Sequence, residues 1–371
     1  MYIVKAGESH GKYMVGILCN VPAGILVEKN QINALLKERS NALGRSERQK
    51  AEKDKVDGVT GIRNGFTLGN NVSMLIKNNA VSEYQKIMDC FDADTSSMQV
   101  TALRPGHADL GGVCRGGFQD ARNVLEGASA RNTCLDVALG SVALSMLSML
   151  GINVAVSVKS LGDLRSGKSY TFEQNLKNKA PAFSQDRAFV NACKNKIEDA
   201  KKEGESLGGV VEICVSPIKP GFGSFVGEKR VDALIAQHLM QIQAVKGVSF
   251  GENSFDFGLP ATTYHGKIER GENGLKTTSL SGGIDGGMTN GDYIKIAVGI
   301  KAIPTTKKGV STIDIATGEQ AISAKQRSDI TAVFALCPIL KCVVSLALSE
   351  AITERLGCDN MTEIIKRYNA L

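Results

Sequence analysis

The chain has 371 residues, 43% hydrophobic and 22% charged, which is typical of a folded globular protein and excludes wholesale disorder or a fibrous repeat. Lys and Arg number 44 against 38 acidic residues, so the net charge of +6 suits small phosphorylated ligands as well as nucleic acid. Trp is absent and aromatic residues make up only 5%, which disfavours the stacking surfaces of single-strand nucleic-acid binders.

Hydrophobic periodicity divides the chain into alternating helical and strand-like segments. Because both classes alternate and no linker or repeat separates them, the pattern predicts a mixed α and β fold in one domain, residues 1–371. The predicted helices are 32–39, 128–150, 189–202, 231–242, 339–356 and 361–368, and the predicted strands are 56–62, 72–76, 154–158, 210–215 and 293–300. Gly-rich or Gly-flanked connections are expected at 7–11, 106–117, 204–209, 282–291 and 301–306.

Compartment and membrane signals point to a cytoplasmic protein. Nine cysteines include no Cys-x-x-Cys pair, so neither a disulfide framework nor a zinc site is indicated and no metal is expected. Residues 1–11 lack the basic and apolar regions of a signal peptide. The uncharged stretch 137–158 is long enough for a membrane span, but we interpret it as a buried helix closed by Gly151 and followed by a strand.

Two of the four histidines lie in Gly-flanked polar segments, where an imidazole is able to meet a ligand. These are His10 and His107, and we predict that both transfer protons because histidine titrates near neutrality. His238 lies among apolar residues in the predicted helix 231–242 and is interpreted as structural.

Arginines near these segments predict a polyanionic ligand, because a guanidinium binds a phosphate or carboxylate through two parallel hydrogen bonds. The set comprises Arg39, Arg45, Arg48, Arg104, Arg131 and Arg327, with Lys301 in the loop 301–305. Small residues at 127–133 open a long apolar helix, whose N-terminus could hold a phosphate or a flat ring. From the residues alone, the prediction is an enzyme acting on a phosphorylated acid.

In chain order, these segments resemble the chorismate synthase family, in its shorter bacterial type, over almost the whole length. The resemblance is carried by GESHG at 7–11, RPGHAD at 104–109, SAR at 129–131, GESLGG at 204–209, QAVKGV at 243–248, GGIDGG at 282–287 and RSD at 327–329. It implies an α+β fold of the β-α-β sandwich type, with helices packed between antiparallel sheets, assembled as a homotetramer.

The resemblance also implies a reaction and a cofactor. The reaction is the anti 1,4-elimination of phosphate from 5-enolpyruvylshikimate 3-phosphate, which gives chorismate in the last step of the shikimate pathway. Reduced FMN is required without net redox change, and either NADPH or an external flavin reductase is compatible as the source of electrons. No nucleic acid and no membrane are implied as partners.

By match with the family, particular residues take particular roles. His107 would protonate the departing phosphate, His10 would act as an acid toward reduced flavin, and Asp329 would help the flavin take the C6 proton. FMN would contact Gly127, Ala128, Ser129, Gln243, Ala244, Gly286, Lys301, Ala302, Ile303, Pro304, Thr305 and Arg327. Substrate would contact Ser9, Arg39, Arg45, Arg48, Arg104 and Arg131.

Several positions depart from the family pattern and keep two alternatives open. Glu38 replaces an arginine, and further departures are Arg115-Gly116-Gly117, Gly127, Asn132, Phe334 and the segment 262–267 around His265. Because these positions were expected near the site, one alternative is an impaired or repurposed flavin-binding relative. The other, from a different class, is a non-enzymatic phosphate or nucleic-acid binder.

Overall fold

The structure, a computed structural model, describes residues 1–46, 54–78, 84, 86–95, 98–252, 255, 257–271, 274–323 and 328–371. Its α-helices are α1 (Lys29–Ser40), α2 (Asp109–Gly116), α3 (Arg122–Ala128), α4 (Thr133–Met149), α5 (Phe172–Leu176), α6 (Arg187–Glu203), α7 (Val231–Met240), α8 (Ala261–Tyr264), α9 (Val333–Leu356) and α10 (Met361–Ala370). Short 3-10 turns occupy Ala130–Asn132 and Gly227–Lys229.

In the described ranges, seventeen strands form two larger antiparallel sheets and four small hairpins. They are β1 (Tyr2–Ala6), β2 (Tyr13–Cys19), β3 (Val56–Thr60), β4 (Ile62–Arg63), β5 (Phe66–Thr67), β6 (Val72–Lys77), β7 (Val154–Leu161), β8 (Leu164–Arg165), β9 (Gly209–Val215), β10 (Val245–Phe250), β11 (Ile268–Gly271), β12 (Gly274–Thr277), β13 (Ile284–Asp285), β14 (Met288–Thr289), β15 (Ile294–Ile300), β16 (Ser311–Ile313) and β17 (Gln320–Ile322). The first sheet has the order β1-β2-β6-β3 and the second the order β10-β15-β9-β7-β8.

Helices fill the space between the two sheets. Helix α4 packs on β2 and β6 of the first sheet, α9 packs on β7 and β9 of the second, and α4 and α9 pack against each other. Both helices are apolar on nearly every side, as expected for helices covered by neighbours all round. The predicted β-α-β sandwich is therefore confirmed, with one hydrophobic core cluster that includes residues of both sheets.

Both faces of the first sheet carry apolar residues. Along β2, Met14 and Leu18 are fully buried toward α4, whereas Tyr13, Val15 and Ile17 are 44%, 37% and 37% exposed on the opposite face. This alternation follows the two-residue period of a strand. The outer face is thus a partly exposed apolar surface.

Two predicted connections contain regular structure. Helix α2 lies within the expected Gly-rich loop 106–117, where Gly112 allows close packing because a Cβ there would lie 2.3 Å from Val124 Cγ1. The hairpin β13–β14 lies within 282–291. The predicted helix 128–150 is interrupted, since α3 ends at Ala128 and α4 begins at Thr133 after a 3-10 turn.

Two helical stretches of the described chain are long and apolar enough to cross a membrane, Arg122–Met149 and Val333–Leu356. Of their most apolar windows, 78% and 89% respectively is buried inside the fold. After Arg122–Met149 the chain turns at Gly151 and continues as β7, as the sequence predicts. Both stretches are accounted for as core helices.

Candidate active site

The site is a cavity of about 420 Å³ between the first turn of α9 and the loops that precede α2, α4 and β10. Its lining includes residues of all the motifs except 204–209 and 282–287. The predicted site residues found there are Ser9, His10, Arg39, Arg45, Arg104, His107, Ala128, Ser129, Arg131, Gln243, Ala244, Lys301, Ile303, Pro304, Thr305 and Asp329. A cavity of this volume is within the range of small-molecule sites.

His10 is fixed by a buried carboxylate that the sequence analysis did not identify. Its ring Nδ1 lies 2.9 and 3.0 Å from the two carboxylate oxygens of Glu126, and its backbone N–H donates to the same group at 3.0 Å. Tyr84 stacks on the imidazole with ring centroids 4.1 Å apart. The side chain of Glu126 is 2% exposed, so the orientation of His10 is set from inside the protein.

His107 has a different environment, in which its partner is a hydroxyl group. Its Nε2 lies 2.5 Å from Thr305 Oγ1 in the loop 301–305. Burial, followed by the positive charges of Arg104 and Lys301, lowers the pKa of His107 to about 4, and the charge of Asp109 opposes this lowering. The imidazole is therefore neutral at pH 7 in the ligand-free chain.

Arg104 is held in place by Asp109, the first residue of α2. The guanidinium donates to both carboxylate oxygens at 2.8 Å, and the backbone N–H of Arg104 donates to Oδ2 at 3.0 Å. Burial of Asp109 raises its pKa, but the hydrogen bonds from Arg104 outweigh burial, so the pKa falls below its ordinary value. Lys301 joins this group because its Nζ donates to Gly106 O at 2.7 Å.

Arg39 and Arg131 share a second buried carboxylate, Asp54. Arg131 makes two parallel bonds of 2.7 Å to Asp54, and Arg39 Nη1 lies 3.3 Å from Oδ2. Arg39 also donates to Thr133 Oγ1 at 3.0 Å and to Ala130 O at 3.1 Å. Both guanidinium groups are thus locked at the cavity wall before any ligand binds.

Arg45 is only partly satisfied by its neighbours. Its Nη1 donates to Asp329 Oδ2 at 2.5 Å, and Ser46 N–H donates to Asp329 Oδ1 at 2.7 Å. Its Nε and Nη2 are buried and have no hydrogen-bond partner among the described residues. Arg45 thus lines the cavity with hydrogen-bonding capacity that its described neighbours leave unused, and a guanidinium of this kind suits an oxyanion.

The cavity lining also contains small and apolar residues beside the basic ones. They are Leu125, Ala128, Ala130, Ala244, Ile303, Pro304, Ala332, Ala335, Leu336 and Ile339. Ala244 has a positive φ of 69°, a strained conformation for a non-glycine residue, and its carbonyl accepts from Lys301 N at 2.9 Å. Small and apolar lining residues suit contact with a planar aromatic ring.

Some predicted residues lie elsewhere. Gly127, Gly286 and Ala302 do not line the cavity, and Gly286 lies in the β13–β14 turn. Arg48 and Arg327 fall outside the described residues. His238 contacts Glu350 on α9 through Nε2 at 3.1 Å and does not line this cavity. Among the described residues no cluster suited to a metal ion occurs.

Glu38, expected to place a negative charge in the site, is not part of the cavity lining. Burial raises its pKa, and the charges of Lys341 and Lys179 oppose that rise. Its neighbour Arg39 faces the cavity, because adjacent residues of a helix point in different directions. The carboxyl group of Glu38 is therefore outside the set of groups that line the cavity.

Phe334, another departure from the family pattern, is fully buried in the first turn of α9.

The fold is an α+β sandwich, and its cavity combines two histidines with arginines that buried carboxylates support. These features define a protein with a small-anion site of catalytic type. Comparison with known proteins makes this class specific. The chorismate synthase family profile matches residues 1–353. The chain belongs to the chorismate synthase family.

Similar proteins extend along the full length. A chorismate synthase of Caldicellulosiruptor bescii is 37% identical, with 100% of both chains covered, and one of Corynebacterium efficiens is 38% identical over 96% of this chain and 92% of its own. A crystal structure of a chorismate synthase superposes with a TM-score of 0.78 at 30% identity, covering 100% of this chain and 96% of that one.

Proposed function

We propose that this chain is a lyase that converts 5-enolpyruvylshikimate 3-phosphate into chorismate, in aromatic amino acid biosynthesis, and that it requires reduced FMN. The observation that carries the proposal is that His10, His107 and Asp329 line one cavity, which is also lined by Arg45 with its two unmatched donors. Family membership supports the same reaction. The alternative of a non-enzymatic anion or nucleic-acid binder accounts for none of these placements.

The residues fit both ligands. The phosphate and carboxylates of the substrate would be held by Arg39, Arg45, Arg104 and Arg131, together with Ser9. The flavin ring would be held by Ala128, Ser129, Gln243, Ala244 and the loop 301–305. Reduced FMN held there would supply transient electron transfer to the substrate without net consumption of a reductant.

The chain's own groups would handle the protons. His107, beside Arg104 and Lys301, would protonate the phosphate as the C3–O bond breaks. Because its pKa of about 4 leaves it neutral, it needs the negative charge of bound substrate to hold that proton. Asp329, a carboxylate fixed by Arg45 and by Ser46 N–H, would assist the loss of the C6 hydrogen.

We extend the proposal to the protein's organisation. One hydrophobic cluster joins both sheets and the helices between them, which supports a single domain over residues 1–371. The exposed apolar face of the first sheet supports a homotetramer. A cytoplasmic location, and NADPH or an external flavin reductase as the electron source, complete the proposal.

Anaerobic assay with chemically reduced FMN tests the reaction. The protein should release one phosphate per chorismate formed, without oxidised flavin accumulating, and calorimetry should detect FMN binding that is stronger for reduced flavin. Absence of FMN binding in either redox state, or substrate that stays intact, would reject the proposed function.

A further inference from the structure

The motif at 204–209 lies outside the cavity lining, yet its serine holds a loop that belongs to the lining. Ser206 is half-buried, and its Oγ donates a hydrogen bond of 2.6 Å to Ile303 O. Ile303 is the middle residue of the loop 301–305 and itself lines the cavity. Because the acceptor is a backbone carbonyl, the bond fixes the path of the main chain in this loop.

The glycine at 208 brings the motif onto the backbone that leads into the loop. A Cβ at Gly208 would lie 2.5 Å from Ile300 O and 2.9 Å from Ala302 N, closer than a side chain tolerates. A side chain here would therefore push the motif and the loop apart. Ser206 and Gly208 thus contact the loop from the same segment, one through a hydrogen bond and the other through close packing.

The loop in turn carries the ring partner of His107. Thr305 Oγ1 lies 2.5 Å from His107 Nε2, and Lys301 Nζ donates to Gly106 O at 2.7 Å. Ser328 Oγ donates to Thr305 O at 2.6 Å from the opposite side. All of these residues line the cavity. A displacement of the loop would therefore move the hydroxyl group that contacts His107 and the ammonium group beside it.

We propose that Ser206 is a positioning residue for the active site, because its hydrogen bond to Ile303 O holds the loop 301–305 where Thr305 meets His107. The consequences for flavin binding and turnover rest on the proposed function, whereas the effect on the loop does not. Ser206 exchanges no proton and acts on the site only through the loop.

The test pairs each substitution with a control. Ser206→Ala removes the hydroxyl donor, and Ser206→Thr restores it. Ser216→Ala is the matched control, because Ser216 is also half-buried and its Oγ also bonds to a backbone segment, accepting from Asn153 N–H at 2.9 Å outside the cavity lining. Gly208→Ala disturbs the loop independently, and its control is Gly167→Ala, where a Cβ meets nothing within 4 Å. Circular dichroism and thermal melting establish which variants fold.

The first readout needs neither flavin nor substrate. Lys301 N–H donates to Ala244 O at 2.9 Å, so hydrogen–deuterium exchange of this amide reports whether the loop keeps its place. Exchange should become about two- to tenfold faster in S206A, the factor that one hydrogen bond contributes, and should return toward wild type in S206T. G208A should also speed exchange at Lys301, whereas S216A and G167A should leave it unchanged.

The second readout separates flavin affinity, turnover and substrate binding. Calorimetry should show the dissociation constant of FMN raised by about two- to tenfold in S206A, because the loop would contact the flavin ring. Anaerobic kcat should fall by about tenfold to a hundredfold, since a small displacement of a group at the reacting centre is costly. KM for the substrate should change little, because Arg39, Arg45 and Arg131 line the cavity from outside the loop.

Unchanged exchange at Lys301 in folded S206A would overturn the inference, and so would faster exchange that S216A reproduces or that S206T does not reverse. Wild-type kcat in an S206A variant with a loosened loop would also overturn it, because the position of the loop would then not matter to the reaction. An inactive wild-type protein would instead reject the proposed function, and the exchange experiment would still decide whether Ser206 holds the loop.

Discussion

At the scale of single residues, the site depends on buried carboxylates behind its arginines. Asp54 is 6% exposed and neutralises both Arg39 and Arg131. Asp54→Asn should lower the free energy of unfolding by about 3 to 5 kcal/mol, because it leaves two buried cations without their anion. Chemical denaturation measures this loss.

A matched control is available for Asp54 on the surface. Asp232→Asn breaks the Arg230–Asp232 pair, whose side chains are 39% and 24% exposed, and should cost no more than about 1 kcal/mol. Equal losses in the two variants would show that Asp54 has no special role in holding the cavity arginines.

His107 gives the site a defined pH dependence. Its pKa is about 4 in the folded chain and near 6.5 when unfolded, so between these values the unfolded chain binds a proton that the folded chain does not. Stability should therefore fall as pH decreases from 6.5 to 4. Denaturation at several pH values should show wild type losing stability relative to His107→Gln in that window, and a parallel course of the two proteins would contradict the assigned pKa.

The sequence identified the site residues that lie in motifs, but it did not identify the buried carboxylates that hold them in place. His10, Arg104 and His107 stand in Gly-flanked segments, which is a local signal. Asp54 and Glu126 act across 77 and 116 residues of chain, on Arg131 and His10 respectively. No local pattern reports such long-range pairs, so these carboxylates could be found only once the fold brought the segments together.

At the scale of elements, helices α4 and α9 approach each other closely at Gly140 and Cys342. A Cβ added to Gly140 would lie 2.8 Å from Cys342 Cβ and 3.0 Å from its carbonyl oxygen. Gly140→Ala should therefore destabilise the protein by about 1 to 3 kcal/mol, despite the better helix propensity of alanine.

Gly111 in α2 provides the comparison, since a Cβ there meets nothing within 4 Å. Gly111→Ala should be neutral or stabilising by up to about 1 kcal/mol. If both variants changed the melting temperature in the same direction, the close approach of α4 and α9 would be wrong.

Amphipathic helices were predictable, and short or exposed strands were not. The bounds 189–202 and 361–368 fall within α6 and α10, because amphipathic periodicity there is strong. Strands β1 and β2 were not predicted. Burial alternates along 13–18, but apolar residues occupy both faces and hide the two-residue period in the sequence. Helix α2 was missed because glycine is a poor helix former, and tertiary packing on Val124 overrides that preference.

At the scale of the whole molecule, the outer face of the first sheet predicts association. Tyr2 and Val4 are 50% and 51% exposed, and the register of β1 with β2 places them on the same face as Tyr13, Val15 and Ile17, so they extend that apolar surface. Sedimentation should find wild type as a tetramer, and Val15→Lys combined with Ile17→Lys should yield smaller species, since burying two ammonium groups is costly.

The control for assembly is a lysine at an exposed position away from this face. Leu275 in β12 is 73% exposed, so Leu275→Lys should leave the assembly intact. A wild-type monomer at micromolar concentration would contradict the proposed tetramer while leaving the chemistry untouched.

The central claim is that His10 and His107 perform two separate proton transfers in one flavin-dependent elimination. Anaerobic single-turnover measurement with reduced FMN, comparing His10→Ala, His107→Ala and His238→Ala, tests it most directly. The first two variants should lose about a hundredfold to ten-thousandfold in turnover while substrate affinity falls by tenfold at most, whereas His238→Ala should keep its turnover. Turnover near that of wild type in both His10→Ala and His107→Ala would contradict the account.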